Sequence, residues 1–201
     1  MSDAQTAIVP TDDPLTLFAQ WFADAGEAGE KFPEAMTVAT VGADGTPDAR
    51  IVLMKGYDGD GFVFYTNTQS DKGRQLAENA RACLNFYWKT LDRQVRITGP
   101  VTPVDAAEAD AYFASRPRVS RLGAWASDQS RRLPSRAEFE DRLASLEAQY
   151  PNDEIPRPEH WSGYRIRHDR LEFWQDRPFR LHDRLVYTRD AESWSTHWLY
   201  P

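Results

Sequence analysis

Asp58-Gly59-Asp60-Gly61 followed by Phe62-Val63-Phe64-Tyr65-Thr66 is the stretch on which the fold turns. Asp-Gly pairs suit the backbone of a tight hairpin, and the five residues after them are all aromatic or β-branched. Together they predict a strand entered from a hairpin. Working back, Ala49 to Lys55 reads as a strand, and so does Met36 to Val41, with Ala43-Asp44-Gly45 as the turn between them. Working forward, Ala82 to Trp88 and Gln94 to Val101 repeat the pattern, joined through Lys89 to Asp92. Five strands with short connections predict a mostly antiparallel barrel or a strongly curled sheet. Tyr164 to Ile166, Leu171 to Gln175, Arg180 to Thr188 and Trp194 to Leu199 read as closing strands.

Helices flank this sheet. Asp12 or Asp13 can cap a helix with Pro14 in its first turn, and Leu15, Phe18, Trp21, Phe22 and Ala25 supply its apolar stripe. Ser70 can cap a short helix through Leu76. Asp105 with Glu108, and Ser135 with Glu138, are capping-box pairs opening two more. Arg116-Pro117-Arg118 interrupts the first of these, and Leu122 to Ala126 can form a further turn. The class is mainly β with flanking helices (α+β). Residues 1–11 lack periodicity and read as a flexible arm, and residues 12–201 read as a single domain.

The chain has 201 residues and a formal net charge of -7, with a sequence pI of about 5.1. That balance argues against coating nucleic acid or an anionic membrane, so any anion site must be a local cluster of Lys and Arg. Cys83 is the only cysteine, which excludes an intrachain disulfide, and its apolar surroundings suit a buried, inert thiol. His160, His168 and His197 show no metal-ligand spacing, so no metal is expected. The acidic start has no apolar core of a signal peptide, and no apolar run has membrane-spanning length. A soluble, cytoplasmic protein is expected.

Several stretches can carry chemistry. Arg50-Ile51-Val52-Leu53-Met54-Lys55 places a cation at each end of an apolar strand. Residues five apart on a regular strand face opposite ways, so a bend, a bulge or two ligand groups would be needed for both to serve one site. Tyr65 to Lys72 runs from a strand into a helix start, where free backbone N–H groups and Lys72 favour an anion. Tyr112 and Arg116 share a helix face and Ser120 follows, a set suited to a phosphomonoester. Past Pro178, Arg180, His182 and Arg184 recur at every second position, which on a strand is one face. Each of these also has a plain reading as surface charge or helix capping. There is no Gly-rich dinucleotide fingerprint, no P-loop and no Gly-x-Ser-x-Gly elbow.

In this order, Arg50 to Lys55, Phe64-Tyr-Thr-Asn67, Arg93-Gln-Val95, Tyr112 to Pro117, Leu122 to Ser127, Gln129-Ser130, Glu172-Phe-Trp-Gln175 and Arg180-Leu-His-Asp-Arg184 resemble the pyridoxine/pyridoxamine 5′-phosphate oxidase family. These are FMN enzymes of the split-barrel class, and the resemblance runs from about Asp13 to Pro201. It implies a homodimer with two FMN sites at the subunit interface. It assigns FMN contacts to Arg50, Ile51, Val52, Leu53, Met54, Lys55, Tyr65, Thr66, Lys72, Gln94, Gln129, Ser130, Trp174 and Arg184. It assigns the substrate phosphate to Lys55, Tyr112, Arg116 and Ser120, and the substrate ring near its reacting carbon to Arg180 and His182. The implied reaction oxidises pyridoxamine or pyridoxine 5′-phosphate to pyridoxal 5′-phosphate. A hydride passes from C4′ to flavin N5, and O2 is reduced to H2O2.

The chain departs from the family pattern in places. Asp71 stands where a basic residue is usual, Arg121 where Gln is usual, and Trp198-Leu199-Tyr200-Pro201 where Arg-Leu-x-Pro is usual. Residues 1–11 lack the Arg and Tyr that form a substrate lid in some members. Two alternatives stay open: a split-barrel flavin oxidase acting on a phenazine-type ring, and a non-catalytic FMN or pyridoxal phosphate binder. The first would lose the phosphate set, and all four of its residues are present.

Overall fold

The computed structural model describes residues 7–191 and 193–201. In chain order the elements are α1 (Pro14–Glu27), β1 (Ala35–Val41), β2 (Pro47–Leu53), β3 (Gly56–Asp58), β4 (Gly61–Asn67), α2 (Asp71–Glu78), β5 (Arg81–Trp88) and β6 (Arg93–Pro103). Then come α3 (Ala106–Ser115), α4 (Arg118–Ala126), α5 (Arg136–Gln149), β7 (Trp161–Ile166), β8 (Arg170–Gln175), β9 (Asp183–Asp190) and β10 (Ser193–Trp198). The strands pair antiparallel in the order β10-β9-β8-β6-β5-β1-β2, with β7 joining β6 to β4 and β3 pairing β4. The long β6 makes this curl possible: Arg93 to Thr98 pairs with β8, and Val101 to Pro103 pairs with β7. At the far side the Lys55 N–H donates to the Val63 carbonyl, joining the β2 end to β4. The antiparallel, strongly curled sheet expected from the hairpin pattern is the observed architecture, and it accords with the split barrel that the resemblance implies.

α1 plugs the barrel. Asp13 caps it by accepting from the Leu15 N–H, and Leu17, Phe18, Trp21 and Ala25 are buried. Phe18 meets Phe62 and Phe86 edge-on, with centroids 4.9 and 5.3 Å away. Such fully buried aromatics dominate the burial energy of a core this size. Both capping pairs form, with Asp105 and Ser135 accepting from the N–H groups of Glu108 and Glu138. No helix among the described residues is long and apolar enough to cross a membrane.

Three expectations change. The strand expected over Arg180 to Thr188 begins only at Asp183. Pro178 to Arg180 instead make a tight 3-10 turn, with Phe179 at φ 62° and Arg180 at φ 63°. Proline fixes its own φ and has no N–H for a ladder, so extended pairing cannot start there. Arg180, His182 and Arg184 therefore do not share one strand face. The arm expected over 1–11 is docked from Ile8, which is buried; the Thr11 N–H donates to the Tyr187 hydroxyl, and residues 1–6 lie outside the described ones. Cys83 is half-buried rather than buried, and burial raises its thiol pKa.

Candidate active site

A cavity of about 690 Å³ opens between β2, β4, α2, α3 and α4, within the size range of cofactor pockets. Arg50, Ile51, Val52, Leu53, Lys55, Tyr65, Thr66, Lys72, Tyr112, Arg116, Ser120 and Gln129 all line it, so residues that the resemblance assigns to FMN and to the substrate phosphate come together in one place. Arg50 and Lys55 meet there because β2 ends at Leu53. The Met54 N–H turns to the Glu34 carbonyl and that of Lys55 to β4. The bend removes the alternation that would have separated them. Met54 itself is buried in the core and does not line the cavity.

Lys72 is held by the start of α2. Ser70 caps the helix, accepting from the Gly73 N–H, and a Cβ on Gly73 would lie 2.0 Å from the Thr68 carbonyl oxygen. Only glycine lets the first turn sit this close. Lys72 Nζ then donates to Gln129 Oε1 at 2.8 Å and to the Thr66 and Ser70 hydroxyls at 3.2 Å. All three partners are neutral. Burial, and then the nearby Arg50, lower its pKa. Arg50 reaches the Val38 carbonyl and the Thr40 hydroxyl, and pairs with Asp48.

The other end of the cavity is aromatic. Tyr65 stacks on Tyr112 at 4.0 Å and on Trp161 at 5.3 Å. The Arg116 guanidinium lies 4.7 Å from the Trp161 ring. Its Nη1 is buried without a hydrogen-bond partner among the described residues, and burial lowers its pKa. Burial and then the Glu108 carboxylate push the Tyr65 hydroxyl up to about 12, keeping it neutral. Four cations line the cavity and, among the described residues lining it, there is no carboxylate. Arg50 is paired with Asp48, but among the described residues Lys72 and Arg116 meet no carboxylate, and holding such cations in a recess is costly unless an anion joins them. The set fits a phosphate-bearing ligand.

Gln94, Trp174, Arg180, His182 and Arg184 do not line this cavity. Gln94, Trp174 and Arg184 instead stand in one cross-strand row on β6, β8 and β9. That face of the sheet is opposite to the one carrying the buried Val95, Phe173 and Leu185. His182 packs against Trp174, centroids 4.7 Å apart. Its Nδ1 is 3.0 Å from Asp176 Oδ1 and 3.3 Å from the Arg177 N–H. These two contacts, with the Trp174 ring, fix where the imidazole sits. Ser130 lies beside the cavity, its hydroxyl accepting from the Asp71 N–H.

Two of the departures from the family pattern, Asp71 and Arg121, do not line the cavity. Asp71 pairs with Arg74 one turn along α2 and is not a lining residue. Arg121 is buried and ties α4 to the Asp153 loop through the Asp153 carbonyl and carboxylate. Sequence reasoning missed Trp161, which comes directly after a proline-rich loop, and Asn67, Ser127 and Phe139, which also line the cavity. Asn67 and Ser127 lay within motif stretches, but no chemistry was attached to them.

Comparison with known proteins agrees with this geometry. Residues 24–150 match the family model described as pyridoxamine 5′-phosphate oxidase. Residues 161–201 match the pyridoxine 5′-phosphate oxidase C-terminal dimerisation region. The chain is 55% identical over 194 residues to a pyridoxine/pyridoxamine 5′-phosphate oxidase of Caulobacter vibrioides, covering 96% of this chain and 87% of that one. It is 56% identical over 189 residues to the protein of the same name from Gluconobacter oxydans, covering 94% of each. Among solved structures, PhzG from Burkholderia lata 383, in complex with tetrahydrophenazine-1-carboxylic acid, superposes with a TM-score of 0.92 at 32% identity, covering 100% of each chain. A pyridoxamine 5′-phosphate oxidase-related, FMN binding protein from Nostoc punctiforme shares the fold, with a TM-score of 0.75 at 18% identity over 94% of this chain and 98% of that one.

Proposed function

The chain belongs to the pyridoxine/pyridoxamine 5′-phosphate oxidase family, and from that premise we propose how its residues divide the work. It is an FMN-dependent oxidase that converts pyridoxamine or pyridoxine 5′-phosphate to pyridoxal 5′-phosphate, and it forms a homodimer. The observation that carries the assignment is the cavity lined by Arg50, Lys55, Lys72 and Arg116 without a carboxylate.

Two phosphates need cations here, one on the cofactor and one on the substrate. Lys72 and Arg50, with Thr66 and Gln129 between them, would hold the FMN phosphate. Ile51 to Leu53 and Tyr65 would line its path, with Met54 packed in the core behind them and Ser130 at the helix start. Lys55, Tyr112, Arg116 and Ser120 would hold the substrate phosphate. The row Gln94, Trp174 and Arg184, with Arg180 and His182 on the adjoining turn, would reach the same ligands from the partner subunit. Ile51 and Leu53 on the edge strand β2 are large, exposed apolar side chains, which suits burial against a second copy.

FMN, when bound, would supply the redox chemistry of oxidation at C4′, with O2 as the final electron acceptor. The protein positions the ring and excludes water. Arg180 donates to polar substituents on the ring, and His182 orients it. The Asp176 and Arg177 contacts would hold the His182 ring in that position. The stack of Tyr65, Tyr112 and Trp161 walls the phosphate end with apolar surface, so its cations act in a weakly screened setting.

The direct test is purified protein with FMN and pyridoxamine 5′-phosphate in air. Flavin uptake, H2O2 and pyridoxal 5′-phosphate are expected. No flavin uptake in excess FMN contradicts the reading. Equal turnover of unphosphorylated pyridoxamine overturns the phosphate pocket, and preference for a reduced phenazine carboxylate transfers the assignment to the PhzG-like alternative.

A further inference from the structure

Glu172 is 1% exposed and is ringed by three arginines. Its Oε2 accepts from Arg170 Nη2 at 2.8 Å and from Arg96 Nη2. Its Oε1 accepts from Arg184 Nε at 2.9 Å and from Arg184 Nη2 at 2.7 Å. Glu172 pairs in register with Arg96 on β6 and with Val186 on β9. It therefore stands one row along from Gln94, Trp174 and Arg184, on the same face of the sheet.

Arg184 is gripped from a second side. Its Nη1 donates to the Tyr200 carbonyl at 3.0 Å, and its own carbonyl accepts from the Leu199 N–H at 2.9 Å. A guanidinium carries five N–H donors in a rigid fork. Among the described residues three are engaged, by Glu172 and Tyr200, which leaves one on Nη1 and one on Nη2. With both anchors in place the guanidinium cannot swing, and the remaining donors keep one direction. One carboxylate among three guanidiniums also leaves the cluster net positive, so an anionic or electron-rich ligand stays favoured.

We propose that Glu172 and the Leu199–Tyr200 segment are positioning elements of the FMN site, acting together as a clamp on Arg184. The clamp rests on the reading that Arg184 contacts FMN. It also gives a structural role to the segment where this chain departs from the family ending, because the contacts it makes are backbone ones and do not depend on side-chain identity. Preorganising a binding group in this way strengthens binding by removing the cost of ordering it.

The test is titration of apoprotein with FMN, read as flavin fluorescence quenching, alongside the melting temperature of each apoprotein. Four chains are compared with the wild type: Arg184→Ala, Glu172→Gln, their double variant, and a chain stopped after Trp198. A fifth combines the stop with Arg184→Ala. Arg184→Ala, Glu172→Gln and the stop are each expected to raise the FMN Kd, by roughly tenfold for Glu172→Gln. Once Arg184 is alanine, Glu172→Gln and the stop are expected to add less than about twofold, because changes that act through one group do not add. If Arg184→Ala leaves Kd unchanged, the reading of Arg184 fails, and the clamp with it. If Arg184→Ala weakens binding but Glu172→Gln and the stop do not, the clamp alone is wrong. Effects that persist in full in the Arg184→Ala background also overturn it, since they mark a purely structural role. Should Glu172→Gln not fold, the stopped chain decides, because Tyr200 is 94% exposed and its removal leaves the core intact.

Discussion

Replacing Arg180 and His182 together by alanine is expected to lower kcat/KM by about 10²- to 10⁴-fold, the range for losing a positioned acid-base and orienting pair. The same variant should bind FMN with nearly wild-type affinity. Both parts follow from where the residues stand. Neither lines the cationic cavity, and Arg180 lies on an exposed turn whose neighbour Phe179 is 92% exposed. Deleting these side chains empties no core space. What is lost is an aimed guanidinium and an imidazole held between Asp176 and the Arg177 N–H. Two consecutive residues at positive φ hold that aim, and backbone of this kind costs energy that a merely structural loop has no reason to carry. Steady-state kinetics and FMN titration of one preparation check both parts. Loss of FMN along with turnover would mean that the division between substrate and cofactor residues is wrong.

Arg116→Ala is expected to act differently. KM for pyridoxamine 5′-phosphate should rise by about 10²-fold or more, since removing a desolvated cation from an anion costs several kcal/mol. kcat should fall far less, because the phosphate contact is made in ground state and transition state alike. Activity on unphosphorylated pyridoxamine, low in the wild type, should be unaffected. The grounds are the buried Nη1 without a partner and the seat of the guanidinium over Trp161. Arg116→Lys should recover only part of the loss, as an ammonium keeps the charge but not the fork or the stacking. Equal losses on the two substrates would show that Arg116 supports the fold of the cavity rather than the phosphate.

Local signals carried much of this structure. The Asp58 to Gly61 hairpin, the alternating strands and the Asp13, Ser70, Asp105 and Ser135 caps are all present, because each depends on a few neighbouring residues. The cavity set was legible only through the resemblance: Arg50 to Lys55, Tyr65 to Lys72 and Tyr112 to Ser120 each read alone as surface charge or helix capping, and it is the barrel that brings the three stretches together. What the residues alone could not give was mostly set by register and by partners distant in sequence. Nothing near Glu172 announces that Arg96 and Arg184 will flank it; that is a consequence of β6, β8 and β9 pairing. Trp161 gave no signal after a proline-rich loop, yet it stacks on Tyr65. The alternation of Arg180, His182 and Arg184 suggested a strand, but periodicity assumes extended backbone, and Pro178 with two residues at positive φ breaks it. Arg50 and Lys55 seemed set on opposite faces until β2 was seen to end between them.

The central claim is that each active site joins the cavity of one subunit to the β8–β9 turn of the other. A heterodimer tests it most directly, made by co-expressing differently tagged Arg116→Ala and Arg180→Ala/His182→Ala chains and purifying the mixed species. Assayed at pyridoxamine 5′-phosphate well below the raised KM of the Arg116→Ala chain, each parent homodimer should be nearly inactive. In the heterodimer one site receives both lesions and the other none, so about half of the wild-type activity per dimer is predicted. If both halves of the site came from one chain, every site would carry a lesion, and a heterodimer as inactive as its parents would contradict the account.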